Sequence, residues 1–382
     1  LEGGGAGRRL PNPLWAMDRL VCYKISLNGL SGLLYLWMKI AILSRWNTAC
    51  GVSLHAELIG REFIKMGHEL VVFAPNNIRP VAEDEDYVIR CYSDEGDHTK
   101  TFFDERPFLE NDYEVFLAER IEWTPIKHLR RIFSEIRRKA KTIYVIHERK
   151  PPRNPIFYEF EWDAVICFDE RYRRQWSKIF RDKIHIIPYP VPEVRRGDKW
   201  EARKALNLPL DERIVFSYGW APELHVLPIL PYLKDVSRIE PFTYLLLVDP
   251  NSGTRIPEYD FISLRIERPP LERIYTYLHA ADLCLMHKQW DEVKEGEVAI
   301  SSSVLMCLGS LTPIITSDTG FVEFLKDEVL KYRSFMEFKQ LLIKTLRGEV
   351  GLEKVIRAAE RYARRNSPRR IASKFIKLFN EI

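Results

Sequence analysis

A chain of 382 residues exceeds what one hydrophobic core normally serves, so length alone predicts two domains. Hydrophobic residues at 46% and charged residues at 29% exclude the disordered and fibrous classes. The formal net charge of +4 is mild, and no zinc-knuckle spacing or basic–aromatic repeat accompanies it, which argues against a nucleic-acid partner.

Residues 1–37 are rich in Gly, Pro and Arg and open without Met. The apolar run Leu33–Leu43 is interrupted by Lys39 and too short to span a bilayer, and no small-residue cleavage site follows it. Met38 is the expected natural start, with 1–37 an extension outside the fold. Lys39–Leu43 reads as a buried strand, and the polar loop SRWNTACGVS leads to a helix over Leu54–Met66. Its stripe (Leu54, Leu58, Ile59, Phe63, Met66) has helical period, with Ser53 as cap and Gly67 as stop. Gly51 lies at the helix N-terminus, where backbone amides and the dipole favour an anion. The bland reading of Gly51 is a loop glycine that needs an unusual backbone angle. His68–Ala74 is the next strand, and Ile78–Phe108 an acidic excursion with short strands.

Tyr113–Ala118 is a strand ending in Glu119-Arg120. Ile126–Lys141 is amphipathic, with Ile126, Leu129, Ile132, Phe133 and Ile136 on one face and a crowd of Lys and Arg on the other. Such a face either docks on an anionic membrane surface or is simply solvated. Thr142–Ile146 is a strand carrying His147 at its carboxyl end. Asp163–Phe168 (strand), Glu170–Phe180 (basic helix) and Lys183–Ile187 (strand) follow. Pro188–Trp200, with three prolines, is the linker.

The second half repeats the alternation. Arg213–Tyr218 is a strand before Gly219, Leu224–Leu233 a helix, Tyr244–Val248 and Phe261–Ile266 strands, and Leu271–Ala280 a helix. Then comes the stretch Ala281–Glu323: strand Asp282–Met286, acidic loop Asp291–Glu297, helix Val298–Leu308 and strand Pro313–Thr316. In a parallel α/β sheet ligands bind just past the carboxyl ends of strands, where this loop falls. Phe335–Leu346 and Leu352–Arg364 are helices, and Ser367-Pro368 caps and starts a last one. The six cysteines are scattered with no C-x-x-C pair, and several sit in apolar patterns. Small buried hydrophobes of a reducing cytoplasm fit this usage, and no metal site is expected. The absent G-x-G-x-x-G fingerprint argues against an oxidoreductase on a doubly wound sheet.

Three stretches resemble the GT-B glycosyltransferases, most closely the retaining family four. KIAILSRWNTACGVSLHAELIGREFIKMGHELVVFAP is similar to that family's opening strand, glycine loop, helix and second strand. WDAVICFDERYRRQWSKIFRDKIHIIPYPV resembles its approach to the interdomain linker, and TPIITSDTGFVE its Thr-Pro-(apolar)-Ile-x-Ser-Asp-x-Gly segment. The resemblance implies an α/β protein of two Rossmann-like domains facing across a cleft. It places an acceptor-side domain over 38–192 and a donor-binding domain over 193–366. A C-terminal helix, 367–382, crosses back to the first. It implies a hexose-type sugar moved, with retention, from a UDP-, GDP- or ADP-sugar to a lipid, glycan or small-molecule acceptor. No cofactor or metal is needed, and the location is cytoplasmic, with peripheral contact at the inner membrane face through Ile126–Lys141 as the membrane option.

The same resemblance assigns residues. Glu295 or Glu297 would contact the donor sugar, and Ser302 and Ser303 the ribose or phosphate; Glu119 and His147 would face the acceptor. Gly51, Gly219 and Gly296 would offer backbone amides. The family's second Glu, separated from the first by seven residues, is missing: Ser303 or Met306 stands there, depending on the alignment. Its basic phosphate-binding pair is not visible either, with Trp220 after Gly219 where the family has Arg. That leaves Lys288, His287, Arg265 and Arg268 as the side chains to neutralise a diphosphate. These losses motivate the alternative, a catalytically degenerate GT-B protein that binds a nucleotide, glycan or partner enzyme.

Overall fold

Runs of aliphatic and β-branched residues bounded by polar turns build two all-parallel sheets in a computed structural model that describes residues 37–94, 101–219 and 221–382. The first sheet comprises β1 (Lys39–Leu43), β2 (Glu69–Pro75), β3 (Val88–Tyr92), β4 (Val115–Glu119), β5 (Lys141–Val145), β6 (Ala164–Cys167) and β7 (Ile184–Ile186), in the order 3-2-1-4-5-6-7. The second comprises β8 (Ile214–Gly219), β9 (Thr243–Val248), β10 (Ile262–Ile266), β11 (Leu283–Met286), β12 (Ile314–Ser317) and β13 (Leu330–Tyr332), in the order 10-9-8-11-12-13. In each, the strand order reverses beside the first strand, between β1 and β4 and between β8 and β11. Those switch points open crevices at the carboxyl ends, where doubly wound sheets bind ligands. Both Rossmann-like halves expected from the sequence are present.

The strands are continuous apolar runs because both faces are covered. Along the second sheet, Phe216, Leu245 and Cys284 join the large core shared with the first sheet. Their neighbours Val215, Leu246 and Leu285 pack into a separate core on the opposite face. That is the period of two of a strand buried on both sides. The helix Ile126–Lys139 sends its predicted apolar face (Ile126, Leu129, Ile132, Phe133, Ile136) into the core. The last helix, Pro368–Glu381, returns to the first half: Phe375 and Phe379 meet Phe63 at 6.2 and 5.8 Å, and Lys141 Nζ donates to the Phe379 carbonyl at 2.9 Å.

Several expectations need correction. The helix α1 spans Gly51–Lys65 with Cys50, not Ser53, as its cap. The Ser53 hydroxyl instead accepts from Thr48 N at 2.9 Å and donates to Glu57 at 2.6 Å. The helix expected over Leu224–Leu233 is two pieces, Pro222–His225 and Leu230–Ser237, because Pro228 and its predecessor cannot continue a helix. Val298–Leu308 shortens to Ser302–Leu308, since Val298 N donates to Arg149 O (2.8 Å) and Ser301 N to Phe321 O (3.0 Å). Ser367 makes no side-chain cap bond. Within the excursion, a short helix Arg106–Glu110 was not foreseen, and Trp220 lies outside the described residues.

Candidate active site between the two sheets

Two of the cavities between the halves meet at Gly51 and Ser302, which line both. The larger, about 230 Å³, is bounded by Thr48–Gly51 and Leu54 on one side and by Tyr218, Pro270, Lys288, Ser302, Ser303 and Met306 on the other. The smaller, about 170 Å³, is bounded by Arg120, Trp123, His147, Arg149, Tyr172 and Phe321. Gly51 is glycine for a packing reason. A Cβ there would sit 2.5 Å from Ser302 Oγ and 2.9 Å from Ser302 Cβ. Its φ is not in the left-handed region, so the unusual-angle reading does not hold. The Tyr189 hydroxyl donates to Gly51 O at 2.6 Å and ties the start of α1 in place.

Lys288 follows β11, and its backbone is fixed by Ser317, whose Oγ accepts from Lys288 N at 2.8 Å and donates to Lys288 O at 2.6 Å. Burial pushes its ammonium below the ordinary value. It has no carboxylate within 4.0 Å among the described residues, and it is the cationic side chain lining the larger cavity. Glu292 is the nearby acid. Burial alone would raise it, but a hydrogen bond from His225 Nε2 at 3.1 Å, together with Lys288 and Arg149, holds it down. Of the other phosphate-binding candidates, Arg268 is paired with Asp249. His287 contacts the Tyr332 hydroxyl at 2.8 Å among aromatic rings, where burial pushes it down to about 4. Arg265 lines neither cavity.

Behind the smaller cavity lies a buried histidine–glutamate–histidine cluster. Glu119 ends β4 at the switch point, and its carboxylate accepts from His55 Nδ1 at 2.6 Å and from the Ser44 hydroxyl at 3.1 Å. His147 Nε2 lies 3.4 Å from its other oxygen. Burial alone would raise Glu119, but the two imidazoles outweigh it and hold it at about 2. Burial pushes His147 down to about 4, so at neutral pH a carboxylate faces a neutral His147. The three ligand atoms lie within 4.8 Å of one another. Two ligands of one tetrahedral zinc, each at about 2.0 Å, would sit roughly 3.3 Å apart. The 2.6 Å contact between His55 and Glu119 is therefore a hydrogen bond's geometry and does not fit a shared ion.

Thus Gly51, Lys288, Ser302, Ser303 and His147 are brought together around the cleft, with Glu119 one shell behind. Glu295, Gly296, Glu297 and Gly219 are not. Glu295 is exposed and lines neither cavity. Gly296 takes a positive φ of 78° and its carbonyl accepts from Gln175, while Glu297 pairs with Lys150 at 2.6 Å. Gly219 ends β8 and lines neither cavity, although Tyr218 before it lines the larger. The acidic loop is drawn to the first half because Arg149, Lys150 and Gln175 all reach it. Both positions at which the second Glu is missing, Ser303 and Met306, line the larger cavity.

Glu292, His55, Arg120 and Trp123 were missed. His55 had a signal: it lies four residues before Ile59 and eight before Phe63, on the buried flank of α1. For Arg120 the signal was its place directly after Glu119 at a strand end.

No protein-family model matches the sequence. Among solved structures, the chain is similar to a glycosyltransferase from Rickettsia africae, at 13% identity and a TM-score of 0.63, over 90% of this chain and 98% of that one. It is similar to Anabaena HepE in complex with UDP and glucose, at 12% identity and a TM-score of 0.63, over 90% of this chain and 100% of that one. The pneumococcal O-GlcNAc transferase GtfA in complex with UDP and GlcNAc matches at 14% identity and a TM-score of 0.62, over 90% of this chain and 99% of that one. With two parallel Rossmann-like sheets, a cleft at their switch points and a last helix that crosses back, this chain has the GT-B fold.

Proposed function

We propose that this protein is a glycosyltransferase that takes a sugar from a nucleoside diphosphate donor, UDP-sugar first among the candidates. The observation that carries the reading is Lys288: a buried ammonium without an ion pair, at the switch point of the second sheet, lining the larger cavity beside Ser302 and Ser303. An unpaired buried cation is costly, and a diphosphate relieves that cost by taking the place of the missing counter-ion. The UDP held by HepE and GtfA supports uridine as the base to test first.

In the reaction, the bond from the sugar's anomeric carbon to the diphosphate oxygen breaks, its electron pair staying on the diphosphate. The acceptor hydroxyl oxygen bonds to that carbon, and its proton leaves to the diphosphate or to solvent. Lys288 and the serine hydroxyls stabilise the charge that develops on the leaving group. His147 lines the acceptor side as a neutral imidazole, packed against the Glu119 carboxylate at 3.4 Å and the His55 ring at 5.2 Å. Retention and membership of family four follow the sequence resemblance, and ¹H NMR of the anomeric proton in the product checks the first.

No helix among the described residues is long and apolar enough to cross a membrane. The apolar face of Ile126–Lys139 is in the core, and Arg130, Arg131 and Arg137 are paired with Glu159, Glu105 and Glu161. Any contact with an anionic membrane surface through this helix is therefore electrostatic, through exposed residues such as Lys127 and Arg138. The test of function is release of free nucleotide from UDP-, GDP- and ADP-sugars.

A further inference from the structure

The smaller cavity has a composition that the proposed function does not require. Its basic lining is Arg120, Arg149 and His147, and no Asp or Glu lines it. Trp123, Tyr172 and Phe321 supply flat walls. Arg120 directly follows β4 at the switch point and takes a left-handed backbone, φ 47°, rare for a non-glycine residue. Its guanidinium lies 3.8 Å from the centre of the Trp123 ring, and the guanidinium of Arg45 lies 3.5 Å from the same ring. Arg45 is matched by Asp94 at 2.7 Å. Arg120 has no carboxylate within 4.0 Å among the described residues, and its Nε is buried without a hydrogen-bond partner.

Elsewhere the same chain satisfies a buried guanidinium completely. Arg203 donates to the Ala280 and Leu210 carbonyls and pairs with Asp282 at 2.8 Å. The unmet donor on Arg120 is thus local to the cavity. Arg149, across the cavity, is held 4.9 Å over Phe321, donates to Glu292 O at 2.9 Å and makes a long 3.5 Å contact with the Glu292 carboxylate, with its side chain still 41% exposed. A guanidinium presents a planar fork that matches phosphate or carboxylate with two parallel hydrogen bonds, and a neutral hydroxyl gains far less from it.

We infer that the acceptor is anionic, a phosphorylated molecule whose phosphate is gripped by Arg120 and Arg149 against Trp123. The inference rests on the glycosyltransferase reading and adds to it the acceptor's chemical class. The phosphate then lies at the Arg120 end, and the reacting hydroxyl points to Gly51 and Ser302, where the smaller cavity meets the larger. The same phosphate chemistry occurs on a soluble sugar phosphate and on a phospholipid headgroup.

Calorimetry on the full chain, with and without UDP, distinguishes these. The probes are glucose 6-phosphate, glucose, and vesicles of phosphatidylcholine with or without phosphatidylinositol. Expected is a preference of at least about tenfold for one phosphorylated probe over its uncharged counterpart. Glucose 6-phosphate identifies a soluble acceptor class, and phosphatidylinositol a lipid one. Arg120→Leu removes the preference while leaving UDP affinity unchanged, and Arg149→Leu weakens the preference. No preference for either phosphorylated probe, or a preference that survives both substitutions, overturns the inference. The UDP titration reports separately on the donor reading: UDP bound without a phosphate preference sinks only the anionic acceptor. Failure to bind UDP excludes uridine as the base, and failure to bind UDP, GDP or ADP sinks the donor reading and, with it, the inference that rests on it.

Discussion

Lys288 differs from an ordinary surface lysine in lacking a counter-ion where burial opposes its charge. Replacing it with Met removes an uncompensated charge and keeps the stem. Lys288→Met should leave the melting temperature unchanged or raise it, while weakening UDP binding by about tenfold or more, as expected for losing a hydrogen bond to a charged group. A scan of melting temperature and a UDP titration check both halves; equal UDP affinity would remove Lys288 from the phosphate site. The buried cluster makes a pH prediction at the same scale. Glu119, held at about 2, contributes stability that is present above its unfolded value and is lost as pH falls through about 2. His147, held down to about 4, is neutral when folded, so the unfolded chain binds more protons from its ordinary value near pH 6.5 downward. Both effects have the same sign. Stability should fall from about pH 6.5 toward acid, and His147→Gln should flatten the upper part of that fall. Unchanged stability between pH 7 and 4 would contradict it. At this scale Gly51, Lys288, Ser302, Ser303 and His147 were legible, because strand ends and helix starts can be read from periodicity. Glu295 and Glu297 misled, because a loop's direction depends on Arg149, Lys150 and Gln175, more than a hundred residues away in sequence. Glu292 is three residues from Glu295 and five from Glu297 in the same loop, and nothing local distinguishes it from them.

The elements that define the cleft are the start of α1 and the short helix Ser302–Leu308. The sequence pattern set α1 three residues late, since Gly51–Ser53 has a lone apolar residue, Val52, too little to show a helical stripe, though a cysteine can cap it. It set the short helix four residues early, because the apolar Val298–Ile300 fits a helix as well as an extended run. Tertiary hydrogen bonds to Arg149 and Phe321 decided between them. The two helices touch at Gly51 and Ser302, and that contact is testable. Gly51→Ala adds a methyl 2.5 Å from Ser302 Oγ, so something must move. Overpacking of this kind costs about 1–3 kcal/mol, and here it should also hold the cleft ajar. Expected is a loss of turnover at least as large as the loss of stability, with Ser302→Gly in the same chain restoring part of the stability. Additive effects of the two substitutions would show that the contact does not couple the halves.

Across the whole molecule, two domains, their order and the returning last helix were legible because each rests on a repeated local pattern: apolar strand, polar turn, amphipathic helix. How the domains meet was not. The seam is made of single long side chains, such as Arg171 donating to Gly320 O at 2.7 Å, and of main-chain bonds such as Val298 to Arg149. Such contacts leave no period in the sequence. The seam brings Lys288 and His147 to opposite sides of the point where the two cavities join, the arrangement sugar transfer needs. The measurement that tests this most directly is nucleotide release from a panel of UDP-, GDP- and ADP-sugars by the full chain and by Lys288→Met. The account predicts release from at least one donor, UDP-sugar first, and a drop of about tenfold or more in the variant. Binding of the nucleotides with no release from any donor would contradict it, and would leave a GT-B protein that binds its ligand without chemistry.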